Sequence, residues 1–165
     1  MSKAIIFDLD GTLVHSAPDL HAAANVLMGE MSLPALSLAE VSSYIGHGIP
    51  NLVKQCFAAN GQLCQSVYIE RFFEIYAANP ASHGQVYAGA KAALQTLKAE
   101  GWALGICTNK ATNMTELVVK GYGLQSLFGA VICGDSLSQK KPDPAPLLHC
   151  AKQLSATNVL YVGDS

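Results

Sequence analysis

Carboxylates at the ends of apolar runs are where this chain has the residues to do chemistry. The run Ile5-Ile6-Phe7 leads straight into Asp8-Leu9-Asp10-Gly11-Thr12, two acids set two residues apart in what otherwise reads as a buried strand. A hairpin is one reading, with Asp10-Gly11 as the turn and Leu13-Val14 as the return. It accounts for Asp10 and Gly11 but not for Asp8, because an acid closing an apolar run is costly unless solvent, hydrogen bonds or a cation meet it. Three more apolar runs, 103–107, 130–133 and 159–162, also end in reactive groups. After them come Thr108-Asn109-Lys110, then Gly134-Asp135 leading on to Lys140-Lys141-Pro142, then Gly163-Asp164-Ser165. Asp8, Asp10 and Asp164 brought close together would repel unless a cation sat among them. Magnesium fits hard oxygen ligands of this kind and is commonly held by one or two carboxylates plus a substrate phosphate. A lone lysine then serves as the second counter-charge for that phosphate.

Something must bring these groups together, and the pattern supplies it. The four apolar runs, the first being 4–7, are rich in Ile and Val without strict alternation, as expected of parallel strands buried on both faces. Helical spacing fills the later gaps. In 89–100, Ala90, Ala93, Leu94 and Leu97 share a face and Gly101 offers a stop; 113–120 and 144–154 read similarly. Strand and helix in alternation mean right-handed crossovers and a doubly wound parallel α/β sheet. In such sheets the ligand crevice lies beyond the carboxyl ends of the strands, where every one of these polar groups falls. The hairpin explains none of that convergence.

The long gap after the first run breaks the alternation. Ser16 with Asp19 resembles a capping box opening a helix on Leu20, Ala23, Ala24, Leu27 and Met31. Ser37 with Glu40 opens a second, ending near Gly46. Ile49, Leu52, Val53, Cys56 and Phe57 stripe a third, and a fourth runs over 64–78 before Asn79-Pro80. Four helices without a strand predict an inserted helical subdomain over 15–83, with 1–14 and 84–165 forming the sheet domain.

Composition narrows the function classes. Half the residues are hydrophobic and 13% are charged, about half the charged share usual in soluble domains. The net charge of −2 provides no basic field for nucleic acid or an anionic membrane surface. The five cysteines, Cys56, Cys64, Cys107, Cys133 and Cys150, are odd in number and not closely paired, which fits reduced thiols in the cytoplasm. The apolar run after Met1-Ser2-Lys3 is far too short for a signal segment, and no 18-residue apolar span occurs. His15, His21, His47, His83 and His149 lack zinc-ligand spacing; of these, His47 is kept as a site candidate.

Taken in order, Asp8-Leu9-Asp10-Gly11-Thr12, Thr108-Asn109, Lys141-Pro142 and Gly163-Asp164 resemble the four motifs of the haloacid dehalogenase-like hydrolase superfamily, across nearly the whole chain. The finer texture, Thr108-Asn109-Lys110, Gly134-Asp135, the run 140–144 and Ile45-Gly46-His47-Gly48, is similar to the bacterial phosphoglycolate phosphatases of that superfamily. The resemblance implies a Rossmann-like doubly wound sheet with an inserted α-helical cap, and a Mg²⁺-dependent phosphatase acting on a small phosphorylated metabolite such as 2-phosphoglycolate. It implies Asp8 as the nucleophile forming an aspartyl-phosphate, and Asp10 as the group that protonates the leaving alkoxide and then takes a proton from water. A halide needs no such acid, so Asp10 argues against the dehalogenase branch. Thr108, with Asn109 beside it, and Lys141 are implied to hold and neutralise the phosphoryl group. Mg²⁺ would rest on the Asp8 carboxylate, the Asp10 carbonyl and Asp164, with Gly11 and Thr12 shaping the turn beneath.

The inserted helices resemble the cap that closes over the site in this superfamily, and Gly46-His47-Gly48 between two of them is expected to read the leaving group, with His47 or the Gly48 N–H near its carboxylate. A helix-stop glycine is the plainer alternative for that loop. His15 departs from the resemblance, since many relatives carry Asp there. In the family the fourth motif continues past the position of Ser165 to another acid, a helix and a fifth strand. The expectation is therefore a fourth strand left as an exposed edge and a 165-residue chain with weak or no activity. Two alternatives stay open on sequence: a phosphosugar mutase of the β-phosphoglucomutase kind, and an inactive fragment whose sheet edge binds a partner or a second copy.

Overall fold

The computed structural model describes residues 3–164; Met1, Ser2 and Ser165, which belong to the expected sheet-domain segments, lie outside them. Strands β1 (Lys3–Phe7), β4 (Ala103–Cys107), β5 (Ala130–Ile132) and β6 (Asn158–Val162) form one parallel sheet in the order β5-β4-β1-β6. Their carboxyl ends are level. Phe7 pairs with Ile106 and Val162, and Cys107 with Ile132. The Asp8 N–H donates to Val162 O and the Thr108 N–H to Ile132 O, both at 2.9 Å, so the residues that follow each strand emerge along one edge. Helices α5 (Ala90–Ala99), α6 (Thr112–Gly121) and α7 (Ala145–Gln153) connect the strands, with a 3₁₀ turn at Gln125–Leu127. Ile5, Phe7, Leu104 and Ile106 pack with Leu94 of α5 and Val118 of α6. Ile6, Cys107, Ala130 and Ile132 pack with Cys150 of α7. Apolar residues bury on both faces, so the runs show no alternation.

The helical insertion comprises α1 (Ala17–Glu30), α2 (Leu38–Ser43), α3 (Ile49–Ala59) and α4 (Ser66–Ala78). It is entered and left through a miniature antiparallel pair, β2 (Val14–His15) with β3 (Gln85–Val86), joined at Val14↔Val86 and His15↔Gln85. Two-residue strands carry no periodicity, and the sequence gives no sign of them. The core is continuous across the junction: Leu20, Leu27, Leu52, Phe57 and Phe72 belong to the same buried cluster as Phe7 and Ile106.

Of the two expected capping boxes one forms. The Ser37 Oγ accepts from the Glu40 N–H at 3.2 Å while Glu40 Oε2 accepts from the Ser37 N–H at 2.7 Å. Ser16 precedes α1 without capping it, because both partners have stronger calls on them. The Ser16 hydroxyl donates to Asp10 Oδ1 at 2.5 Å. Asp19, 2% exposed, accepts the Ser82, His83 and Gly84 N–H groups at 2.9, 2.6 and 3.0 Å and the Tyr122 hydroxyl at 3.1 Å. One carboxylate thus fastens the chain leaving the insertion to α1 and to the end of α6. Gly84 permits the approach, since a Cβ there would stand 2.5 Å from both Asp19 Oδ2 and His15 O. Asp19→Ala leaves four donors at this junction without their acceptor, so a loss of about 3 kcal/mol of unfolding free energy is expected in urea titrations. A loss below about 1 kcal/mol would mean water replaces the carboxylate at no cost.

Strand β6 lies at the sheet edge with Leu160 and Val162 53% and 43% exposed. The five cysteines form no disulfide; burial pushes Cys107 up to about 11 and Cys150 to about 12, which makes them neutral packing groups. Among the described residues no helix is long and apolar enough to cross a membrane.

Candidate active site

A cavity of about 770 Å³ opens at the carboxyl end of the sheet, between it and the helical insertion. Asp8, Asp10, Gly11, Thr108, Asn109, Lys141 and Asp164 line it from the sheet side, and Gly46, His47 and Gly48 from the insertion. Thr12 lies just outside and reaches inward through its hydroxyl, which donates to Asp164 Oδ1 at 3.1 Å.

Asp8 sits at the centre, 8% exposed. Its Oδ1 accepts the Leu9 N–H at 2.7 Å and its Oδ2 accepts from the Lys141 ammonium. Burial pushes the Asp8 carboxyl above the usual carboxylate range, although Lys141 and the Leu9 N–H pull the other way. Burial also opposes the charge on Lys141, but Asp8 and Tyr161 more than offset it and its pKa lies above the ordinary lysine value. The same ammonium donates to the Tyr161 hydroxyl at 3.0 Å. The ion pair thus joins the end of β1 to the loop before α7 and to β6.

Asp10 is held on a different side. Lys110 Nζ bonds both of its carboxylate oxygens, at 3.1 and 3.0 Å, and Ser16 adds a third contact. Burial disfavours the Lys110 charge, yet Asp10 and Tyr76 together outweigh it and keep the ammonium above the ordinary lysine range. Two lysines therefore serve two acids, where the sequence suggests a single one. Lys110 and Tyr161 are the members of the site that sequence reasoning misses. The signal for the first is present in Thr108-Asn109-Lys110 directly after a strand; Tyr161, inside an apolar run, gives none.

Asn109 links two loops through its side chain. Both hydrogens of its side-chain amide are engaged, by Gly46 O at 3.0 Å and Lys141 O at 3.1 Å, and its Oδ1 accepts the Lys141 N–H at 3.0 Å. The side chain ties the 46–48 loop to the Lys141 loop rather than offering a donor to substrate. Thr108 is 4% exposed, its Oγ1 accepting the Lys110 N–H at 3.2 Å. Helix α6, which starts just beyond, has Ala111 at its cap position, where no side chain accepts a hydrogen bond. Asp135 stands in, taking the Thr112 N–H at 3.0 Å and its hydroxyl at 2.6 Å, so the Gly134-Asp135 pair braces the Thr108 loop from β5. His47 lines the cavity and is exposed, and the His15 ring, which also lines it, lies 5.8 Å from the Tyr87 ring.

The donor set suits a divalent cation held largely by water and substrate. No group of three or more His, Cys, Asp or Glu side chains converges among the described residues; the expected set requires only two carboxylates and a carbonyl. Gly11, at φ +82°, provides the cradle: a Cβ there would fall 2.2 Å from Asp164 Oδ2. The absent side chain lets Asp164 approach the Asp8-to-Thr12 loop.

Parallel strands ending level, a helical insertion after the first, and a buried acid–lysine pair at their carboxyl ends define an open α/β protein with a covered anion-handling crevice. A family model described as haloacid dehalogenase-like hydrolase matches residues 5–165, and the chain belongs to that family. It is 48% identical over 165 residues to a phosphoglycolate phosphatase of Cereibacter sphaeroides (strain ATCC 17029 / ATH 2.4.9), a match covering 98% of this chain and 76% of that protein. A phosphoglycolate phosphatase of Rhodospirillum rubrum is 42% identical over 175 residues, covering 100% of this chain and 73% of its own length. The crystal structure of a predicted phosphoglycolate phosphatase from Haemophilus somnus 129pt superposes with a TM-score of 0.92 at 31% identity, covering 99% of this chain and 77% of that one. This chain is thus a hydrolase similar to phosphoglycolate phosphatases.

Proposed function

We propose that the protein is a Mg²⁺-dependent phosphatase of small phosphomonoesters, with 2-phosphoglycolate as the leading substrate, working in a reducing cytoplasm. The observation that carries this reading is the Asp8–Lys141 ion pair in a cavity that Thr108 and Asp164 also line. A carboxylate so placed is a nucleophile, and the ammonium beside it neutralises the phosphate it would attack. In the first step a bond forms between an Asp8 oxygen and phosphorus as the bond to the leaving alkoxide breaks, and Asp10 gives that alkoxide its proton. In the second, water bonds to phosphorus and loses a proton to Asp10 while the Asp8–phosphorus bond breaks. Asp8, the Asp10 carbonyl and Asp164 would hold Mg²⁺, which when bound offsets repulsion between the anionic nucleophile and the phosphate. Thr108 orients a phosphoryl oxygen, and the insertion excludes water that would compete.

The substrate reading is supported by the relatives' names and by the part of the cavity lining that the insertion supplies. There helix α3 begins, with Gly48, Ile49 and Leu52 on the cavity, and the start of a helix favours an anion such as the glycolate carboxylate. A colorimetric phosphate-release assay with 2-phosphoglycolate, with and without Mg²⁺, of this chain and in parallel of a version carrying the family's continuation past Ser165, tests the reading. Release that depends on Mg²⁺ and is suppressed by a chelator is the expected result. Absence of release by both versions from 2-phosphoglycolate and from a panel of other phosphomonoesters, or isomerisation of a sugar phosphate without net release, would overturn it.

A further inference from the structure

We infer that Lys110 is a positioning residue for Asp10, fixing the orientation of the carboxylate that gives and takes the proton; the inference rests on the phosphatase reading above. Lys110 is 4% exposed, and a lysine so deeply placed carries a large desolvation cost unless something compensates it. Packing alone calls for no charge there. The compensation is the Asp10 carboxylate, bonded through both oxygens.

Three parts of the chain meet at this point. Lys110 comes from the loop after β4, Ser16 from the entrance to α1, and Tyr76 from α4, whose ring centroid lies 5.1 Å from Lys110 Nζ. The ammonium is thus seated against an aromatic face of the insertion, and with the Ser16 hydroxyl it defines which way Asp10 faces. A terminal carboxylate torsion has broad, shallow preferences of its own. Left alone, Asp10 would sample orientations that miss the bridging oxygen of the ester, and displacements of about 1 Å at a reacting group cost on the order of 10²-fold in rate.

The consequence is specific to one bond. An alkoxide such as glycolate leaves only with a proton, whereas 4-nitrophenolate leaves without one. Rapid-quench measurement of the first turnover, with Mg²⁺ and each ester in turn, separates the two. For Lys110→Met the release of glycolate from 2-phosphoglycolate is expected to fall about 100-fold while release of 4-nitrophenolate changes less than about 3-fold. KM for both esters stays close to that of the unsubstituted chain. Lys110→Arg, which retains a charged donor, restores most of the glycolate rate. In an Asp10→Asn background Lys110→Met adds no further loss, since residues acting as one unit do not add. Should the methionine variant fail to fold, Lys110→Gln is read by the same ratio. Equal slowing of the two esters, or no slowing of either, would overturn the assignment and leave the phosphatase reading standing. Where this chain turns over too slowly to read, the substitutions are made in the version carrying the family's continuation past Ser165; failure of both unsubstituted versions to release either leaving group would overturn the phosphatase reading and this inference together.

Discussion

Asp8→Asn is expected to lower phosphate release by at least about 10⁴-fold while the chain remains folded. The amide keeps the size of the carboxylate and retains an oxygen that can accept from the Leu9 N–H or Lys141, the two contacts that hold Asp8. What it loses is the anionic oxygen that bonds to phosphorus in the proposed mechanism. Because the variant also leaves Lys141 without its anionic partner, a moderate fall in thermal stability is expected, and a radiolabelled phosphoryl group that stays with the unsubstituted protein after acid quench should be missing from the variant. The size of the effect separates two roles for the same residue. If Asp8 only steered a water molecule, the variant would keep a sizeable fraction of the rate, because Thr108 and Lys141 still bind and neutralise the phosphate. Retention of more than about a tenth of the activity would exclude covalent catalysis at this position.

The sheet is legible in the sequence because strands buried on both faces must be apolar throughout, and 4–7, 103–107, 130–133 and 159–162 are the runs that meet this demand. Their parallel pairing then places Asp8, Thr108 and Asp164 on one edge without further information. The helices follow from spacing, and the Ser37–Glu40 box is readable because both partners are local. The failures have a common physical cause. Ser16 and Asp19 match a local pattern but answer to partners far along the chain, Asp10 for one, residues 82–84 and Tyr122 for the other. Nothing local signals that the Asn109 side chain ties the Gly46 loop to the Lys141 loop. Polar residues near a strand end announce a site; which of them touch substrate and which hold the others in place is decided by tertiary contacts.

That division of labour gives the site its shape. The acids, threonine and lysine at the strand ends are braced by other side chains: Asp135 behind the Thr108 loop, Lys110 on Asp10, Asn109 between the Lys141 loop and the insertion, and Asp19 at the junction where the insertion returns to the sheet. Each brace crosses between segments distant in sequence, so the geometry at phosphorus depends on the insertion being seated on the sheet. Variation in the 46–48 loop is thereby coupled to the Lys141 loop through one amide, a route by which changes in the substrate-facing wall reach the catalytic side.

Lys141→Met is expected to lower phosphate release by about 10²–10³-fold, the magnitude associated with removing one preorganised electrostatic contact to a developing anion. It should also destabilise the chain, and that effect distinguishes an ion pair from a mere neighbour. The side chains of Lys141 and Asp8 are 17% and 11% exposed. Breaking a fully buried pair costs about 3–5 kcal/mol because the remaining charge is left uncompensated, and the residual exposure here reduces the expectation to about 2–3 kcal/mol. Urea unfolding without Mg²⁺, so that no added cation takes over the role of the lysine, is the measurement. Asp8→Asn combined with Lys141→Met removes both charges and should recover most of the lost stability, since the penalty belongs to the stranded carboxylate and not to the missing methylene contacts. If the double variant were instead as unstable as the single one, the lysine would be acting through packing against Tyr161, and its charge would have no claim to a part in handling the phosphate.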